Sequence, residues 1–400
     1  MKIVVVGNTN NYPHLLARAL VELGNDVHHV LDHDAILHLP EGKFQNVSAN
    51  YSGGVKLLRL GRVDFSNLSW IRKRDSAVAE LIRSADLVIF NGLSPAILGL
   101  KSDRSIFVLT GADLTFIRDW YQLGKADQYS VPWTTRLNSR RKYLGRAWLC
   151  QMRQKRLIRS ASIFSFFSPG SVPEGDRVLQ QLKPKGERFV LRLADQSEAT
   201  FVRSKGDNDV LHLLCVGRVS WARRSPDTRI SLDFKGTDVL LRGVASARDL
   251  GHENFKVTLF RKGPDIAETL VLIDELGIGE FVFWHDEVPQ RQLVKMILEC
   301  DVVVDNLGPG SPGMATLDSM ALGRAVLTNT GTIVSDLDPL KGAPLLHASS
   351  VEHVCGWIEK LASDPSLISR YGDAGRLFAT ERLSVGRQAE ALLKVLKGES

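Results

Sequence analysis

The sequence predicts an α/β protein made of two doubly wound, Rossmann-like domains joined by a polar linker. Three observations predict it. The chain has 400 residues, more than one ordinary core accommodates. Short β-branched runs alternate with amphipathic stretches through both halves, the rhythm of parallel strands and crossover helices. One polar, strand-poor stretch from Ala194 to Asp209, "ADQSEATFVRSKGDND", interrupts that rhythm. The expected organisation is therefore a first domain over 1–193, a linker over 194–209 and a second domain over 210–400. The last helix is expected either there or packed back on the first domain.

The elements follow in chain order. "MKIVVVG" opens with a strand over Ile3–Val6, β-branched enough to be buried on both faces and too short and strand-like for a signal peptide. A helix over Leu15–Leu23 is closed by Gly24 as a stop signal. Further strands are expected at Asp26–Leu31, Leu87–Phe90, Ser105–Leu109 and Ile163–Phe167. In the second half they fall at Leu211–Val216, Lys256–Phe260, Phe281–Trp284, Asp301–Val304 and Ala325–Thr328. Helices are expected over Asp265–Leu276, ended by Gly277, and over Met314–Leu322. Ligands of open α/β sheets sit outside the carboxyl ends of the strands. Two such sheets with facing carboxyl ends would enclose a deep interdomain cleft suited to a small molecule.

Composition narrows the class. With 44% hydrophobic and 24% charged residues the chain reads as soluble and globular, and no apolar run reaches the ~18 residues of a spanning helix. Cys150, Cys215, Cys300 and Cys355 are widely spaced and form no CxxC pair, which argues against a zinc cluster or disulfide framework and for the cytoplasm. The net charge is +6, but residues 118–160 alone carry eleven Lys and Arg against Asp119 and Asp127. Trp120, Tyr121, Tyr129, Trp133, Tyr143 and Trp148 are interleaved with them. Amphipathic aromatics among cations suit the anionic inner face of a membrane, each nearby cation being worth about 1 kcal/mol; a solvated helical face is the alternative. No nucleic-acid-binding motif accompanies the charge.

Three segments carry candidate chemistry. At the exit of the first strand, Gly7 and Asn8 begin a polar turn able to offer backbone N–H groups to a ligand. One glycine in place of three disfavours a dinucleotide fingerprint there. In the second half, "LHLLCVGRV" delivers Gly217 and Arg218, and "FKGTDVLLRGVASA" places Lys235 and Gly236 at a helix entrance. Such cations, with the positive end of a helix dipole, suit a pyrophosphate. The third segment is "DNLGPGSPGMATLDSMALGRAVLTNTG", residues 305–331. Gly308, Gly310 and Gly313 let backbone approach a ligand, and the helix start at Met314 and Ala315 offers N–H groups to oxygens. Asp318, one turn into that helix, can accept the paired hydroxyls of a ribose. "DHD" at residues 32–34 has the spacing of a metal-binding aspartate pair, and His28, His29, His33 and His38 lie close by. Neighbouring strand residues face opposite ways, so a structural role is expected for both patterns and no metal is expected.

The order of these elements resembles the glycosyltransferases of family 4, of the GT-B fold with two facing Rossmann-like domains. The similarity spans nearly the whole chain and is strongest over 211–329. "VGRV … KG" resembles that family's Arg and Lys on the donor diphosphate, and "LFRKGPD" its glycine turn. "LDSMALGRAVLTN" resembles its "LEAMAxGxPVV" signature, with Asp318 at the ribose-binding glutamate. "LTGADL" resembles its "HGxD" segment, which places Asp113 on the acceptor side, and "RFVLRLADQSEATF" its hinge. The sequence departs from the family at Gly310, where a glutamate usually meets the transferred sugar, and at Thr110, in place of the histidine. An arginine-rich insertion, "SWARRSPDTRISLD", separates Arg218 from Lys235.

The resemblance implies a retaining-type transferase moving a sugar from a nucleotide-diphosphate donor to a hydroxyl acceptor such as a lipid-linked or cell-surface glycan. It implies no cofactor beyond that donor substrate. Arg218, Lys235 and Asp113 would be its catalytic set. Gly7, Asn8, Gly217, Gly310, Gly313, Met314, Ala315 and Asp318 would contact the ligand. The rival expectation, motivated by Gly310 and Thr110, is a catalytically silent GT-B protein acting as a membrane-associated scaffold.

Overall fold

The computed structural model describes residues 1–63, 71–111, 113–114, 138–196, 210–222 and 234–399; of 71–76 and 138–144 only the backbone is described. Most of the proposed linker (197–209), the start of the basic segment (115–137) and most of the arginine-rich insertion (223–233) lie outside the described residues. The chain forms two compact units. One comprises 1–166, 173–191 and 389–400, and the other 167–172 and 192–388.

The first unit holds an eight-stranded sheet. Its strands are β1 (Lys2–Val6), β2 (Asp26–Leu31), β3 (Tyr51–Ser52), β4 (Val55–Arg59), β5 (Leu87–Asn91), β6 (Ser105–Val108), β7 (Ile163–Ser165) and β8 (Glu187–Phe189). The order is β3-β4-β2-β1-β5-β6-β7-β8, parallel except for the β3–β4 hairpin. Ile3 through Val6 and Leu87 through Phe90 are fully buried, as runs covered on both faces require. The first helix, Tyr12–Glu22, starts three residues before the expected Leu15 because Tyr12-Pro13 suits a first turn, Pro13 having no N–H to leave unpaired.

His29 on β2 is buried and His28 faces the other side, toward Asp26. The His29 Nε2–H donates to the Gly7 carbonyl (3.0 Å). That leaves His29 Nδ1 to accept from the His14 Nδ1–H (2.9 Å), and His14 Nε2 to accept from the Ser52 hydroxyl (2.9 Å). The bond between the two rings needs at least His29 neutral, since its Nδ1 must accept. Burial accordingly lowers both pKa values, that of His29 to about 4. The histidine cluster is a buried polar strut. Among the described residues no group of three His, Cys, Asp or Glu side chains is placed to hold a metal.

The second unit holds a six-stranded sheet of β9 (Leu211–Cys215), β10 (Phe255–Phe260), β11 (Val282–His285), β12 (Val302–Val304), β13 (Ala325–Thr328) and β14 (Leu346–His347). The order is β11-β10-β9-β12-β13-β14, and every recorded pairing is parallel. Alternate residues feed two cores. Leu213, Val257, Val302 and Val304 pack with Leu240 and Val244 of the helix Thr237–Asp249. Leu214, Phe260 and Val303 pack with Ile297 and Leu298 of the helix Gln290–Glu299. The strand sequence turns back between β9 and β12, which makes their carboxyl ends the switch point where α/β sheets take ligands.

No helix among the described residues is long and apolar enough to cross a membrane. The described part of the basic segment is the helix Asn138–Ser160. It buries Ala147, Cys150, Gln151, Gln154, Leu157 and Ile158, and it exposes Trp148, Leu149 and Met152 by 43–47%.

Candidate functional site at the carboxyl edge of the second sheet

Three loops meet at the β9–β12 switch point. β9 ends in Gly217 and Arg218, and β12 ends in the loop 305–313 that leads into the helix Met314–Ala321. The third loop, ending in Lys235 and Gly236, ties the other two together. Lys235 donates its backbone N–H to the Ser220 carbonyl (2.7 Å), and its own carbonyl accepts from the Leu307 N–H (3.0 Å). The insertion that separates Arg218 from Lys235 in sequence therefore returns the chain to where it left. The Lys235 stem runs beside Gly217, whose missing Cβ would lie 4.0 Å from Lys235 Cγ.

Gly236 has φ +71° and caps the helix Thr237–Asp249. A Cβ there would come within 2.9 Å of the Gly308 nitrogen, and one on Gly308 within 2.4 Å of the Phe234 carbonyl oxygen. Only glycines let these two loops touch backbone to backbone. The turn after β10 fastens the Arg218 loop from the other side. Val219 donates to the Lys262 carbonyl (2.7 Å), and the Asp265 carboxylate accepts from the N–H groups of Trp221 (2.7 Å) and Ala222 (2.9 Å). Arg218 is exposed and Lys235 half-buried at this edge.

The glycine loop is more tightly held than its composition suggests. The Asp305 carboxylate accepts from the Gly313 N–H (3.0 Å) and the Thr316 hydroxyl (2.7 Å), so Gly313 spends its donor inside the protein. The first-turn N–H groups of Met314 and Ala315 have no carbonyl of their own helix to meet. Gly310 is buried. Asp318 is half-buried one turn in, and its Oδ1 accepts from the Asp195 N–H (3.2 Å).

Sequence reasoning missed the residue that fixes this loop. Arg192, with its side chain 5% exposed, donates to the Pro312 carbonyl (3.1 Å), the Ser311 hydroxyl (2.8 Å) and the fully buried Asp338 carboxylate (3.0 Å). Its guanidinium also covers the Phe167 ring, 4.9 Å from the centroid. Burial works to raise the Asp338 pKa, but the Arg192 charge and bonds from Arg192 and Ser168 hold it below the usual carboxylate value.

The candidates in the first unit are held by contacts within the protein. Gly7 has φ +92°, and a Cβ would fall 2.1 Å from the Asn91 carbonyl oxygen, so it serves strand packing. Asn8 is 3% exposed, and its amide is spent on Asn11 (2.8 Å), the His38 carbonyl (2.8 Å) and the His14 N–H (3.2 Å). Asp113 is 1% exposed, and its carboxylate accepts from the N–H groups of Thr110 (3.0 Å) and Gly111 (2.9 Å), where it closes the turn after β6.

Burial raises the Asp113 pKa from 3.8 to about 6, against the lowering by those backbone bonds. A folded-state pKa above the unfolded one means the native chain binds this proton more tightly. The resulting stability is present below pH ~4 and lost as pH rises to ~6, a swing of about 2–3 kcal/mol. Asp113→Asn should remove that slope. The check is the denaturant midpoint of parent and variant at half-unit steps from pH 4 to 7.

No protein-family model and no curated protein sequence matches the chain. Solved structures do. Sucrose-phosphate synthase from Thermosynechococcus elongatus aligns over 100% of both chains with a TM-score of 0.59 at 14% identity. Anabaena HepE in complex with UDP and glucose aligns over 100% of both chains with a TM-score of 0.59 at 14% identity. A glycosyltransferase from Rickettsia africae aligns over 100% of this chain and 98% of its own with a TM-score of 0.61, again at 14% identity. The chain has the GT-B fold. At such identities the likeness is one of fold, with two Rossmann-like domains of parallel sheet in each case. The GT-B frame places the Arg218–Lys235–Asp318 edge in the second of them.

Proposed function

We propose that the chain is a glycosyltransferase, resembling family 4, that moves a sugar from a nucleotide-diphosphate donor to a hydroxyl acceptor with retention at the anomeric carbon. One observation carries the reading: Lys235 bridges the β9 and β12 exits through its backbone, so both cations rise from the same switch point as the glycine loop and Asp318. In this reading Arg218 and Lys235 meet the diphosphate, the N–H groups of Met314 and Ala315 meet phosphate or sugar oxygens, and Asp318 accepts the ribose hydroxyls. Catalysis is positioning plus stabilisation of the leaving diphosphate charge. HepE, a fold neighbour, has been solved with UDP and with UDP-glucose, which supports a nucleotide sugar as the ligand class.

Calorimetric titration with UDP, GDP, ADP and dTDP tests the reading. Saturable binding of at least one, lost in Asp318→Ala, is the expected result. Silence toward all four would leave the scaffold alternative standing.

The acceptor in this proposal is a lipid-linked or cell-surface glycan, met at the anionic cytoplasmic face of a membrane. The exposed Trp148, Leu149 and Met152 beside Arg156 and Arg159 support that placement. Flotation on vesicles with 30% phosphatidylserine should carry the chain upward, and reversing the charge of Arg140, Arg141 and Lys142 should leave it at the bottom. Equal flotation of both would remove the membrane from the proposal.

A further inference from the structure

Asn329, at the exit of β13, ties the glycine loop to the neighbouring turn. Its amide donates to the Gly308 carbonyl (2.8 Å), while the Gly308 N–H donates to the Asn306 side-chain carbonyl (3.1 Å). Gly308 is thus clamped from both sides where its backbone lies against Phe234. The Asn329 side chain is oriented in turn by the short helical turn Thr330–Thr332. The Gly331 N–H donates to its carbonyl oxygen (2.9 Å), which leaves the amide facing Gly308.

That turn rests on one imidazole. His347 ends β14, opposite Thr328 in the parallel register. Its Nδ1 accepts from the Thr330 backbone N–H (3.2 Å) and lies 2.9 Å from the Thr330 hydroxyl. A backbone N–H can only donate, so Nδ1 must carry a lone pair and the ring proton sits on Nε2. Gly331 packs on the same ring, its missing Cβ lying 3.8 Å from His347 Cε1. His347 is therefore joined to Gly308 by hydrogen bonds through residues 329–331, and the two backbone N–H groups among them fix the direction of each.

The surroundings of the ring oppose a second proton. Its Nε2–H meets the Ser349 hydroxyl (3.3 Å), which also lies 3.4 Å from His353 Nδ1. The two rings meet edge to face with centroids 4.9 Å apart. On the helix Val351–Ser363, His353 is the titratable group against His347, and Glu352 beside it is exposed. Trp357 donates its indole N–H to the His347 carbonyl (2.8 Å) and carries Lys360 over its ring. Neither β13 nor the turn Thr330–Thr332 contains a charged residue. Burial first, and the His353 charge second, lower the His347 pKa from 6.5. A folded-state pKa below the unfolded one means the tie is fully present above pH ~6.5 and is lost as pH falls through the lower folded value. A proton on Nδ1 sets two donors against each other, and the Thr330 N–H loses its acceptor.

We propose that His347 is a positioning residue for the glycine loop. While neutral it holds the turn Thr330–Thr332 and, through Asn329, Gly308; protonation releases both, so acid weakens ligand binding at this edge. The ligand half of the proposal rests on the transferase reading, and the loop half does not.

Hydrogen exchange on the full chain without nucleotide, read by mass spectrometry and corrected for intrinsic rates, tests the loop half between about pH 5 and 7.5. Protection of 305–313 and 328–333 should fall together about 5-fold as pH drops, the loss of one hydrogen-bonded tie. His347→Asn puts an amide oxygen that does not titrate where Nδ1 stood, so its protection should stay at the neutral-pH level throughout. His353→Asn removes the opposing charge and should move the midpoint of the parent's loss to higher pH. Calorimetry with UDP, GDP, ADP and dTDP at both ends of the range tests the ligand half. A terminal phosphate itself titrates at about pH 6, so the readout is the affinity the parent loses beyond that lost by His347→Asn, expected to be about 5-fold. The proposal is overturned by one shared pH course of protection in parent and His347→Asn, by a loss confined to 328–333, or by equal affinity losses in the two. Should His347→Asn melt several degrees early, His353→Asn decides, and an unmoved midpoint there overturns the proposal. Failure of every nucleotide to bind at any pH removes the transferase reading, and the exchange comparison then decides the role of His347 by itself.

Discussion

Replacing Lys235 by alanine will lower kcat/KM for the nucleotide-sugar donor by roughly 10²–10³-fold and leave the melting temperature within a degree or two of the parent. The two halves of this expectation come from different atoms. The loop junction is made by the Lys235 backbone, which donates to Ser220 and accepts from Leu307, and alanine keeps both bonds. The side chain contributes a half-buried charge beside Gly217. A charge-assisted bond to a departing diphosphate strengthens as negative charge builds in the transition state, so its loss falls on kcat more than on KM. Turnover should also become less sensitive to salt, since one cation fewer is screened. Near-parental turnover with every donor base, in a variant that still melts normally, would remove Lys235 from the site.

The sheets were legible in the sequence because parallel strands buried on both faces must be written as continuous apolar runs, as in Ile3–Val6 and Val302–Val304. Strands that lack that requirement escaped. β4 pairs near the sheet's edge with Lys56 exposed, while β8 and β14 are too short to leave a periodic trace. The glycine loop and its two cations were visible for a similar reason, since backbone that must touch backbone has to be glycine. Side-chain direction was not visible. Asp113 sits in a motif that suggests function, but whether a carboxylate faces a ligand or its own turn depends on one rotamer. Arg192 fails in the opposite sense. An arginine between Leu191 and Leu193 in a strand-like stretch reads as a solvated neighbour of two core residues, and its partners Ser311, Pro312 and Asp338 lie more than a hundred residues away. The alternation held a faint signal, for it places Arg192 on the opposite face from Leu191 and Leu193, but no local pattern says that this face is buried too.

Arg192 should therefore separate stability from ligand binding in a way no surface cation could. Arg192→Met leaves Asp338, fully buried, facing a thioether, and breaking a buried pair from one side costs about 3–5 kcal/mol. Arg192→Met combined with Asp338→Asn removes the stranded charge while the asparagine carbonyl still accepts from Ser168 or from the Leu340 N–H, so most of that loss should return. Nucleotide affinity should not return with it. Among the described residues the side-chain bonds to Ser311 and Pro312 come from the guanidinium, and without them the loop ahead of Gly313 loses two of its ties while Asp305 still holds Gly313. Ser311→Ala gives the cleaner readout: one neutral acceptor is lost, the ion pair stays, and the expected outcome is a ~3–10-fold weaker nucleotide Kd with a stability change near 1 kcal/mol. Calorimetry and urea unfolding on the same four proteins decide it. If the double variant regains nucleotide affinity along with its stability, Arg192 is a prop for the fold and the glycine loop keeps its shape without it.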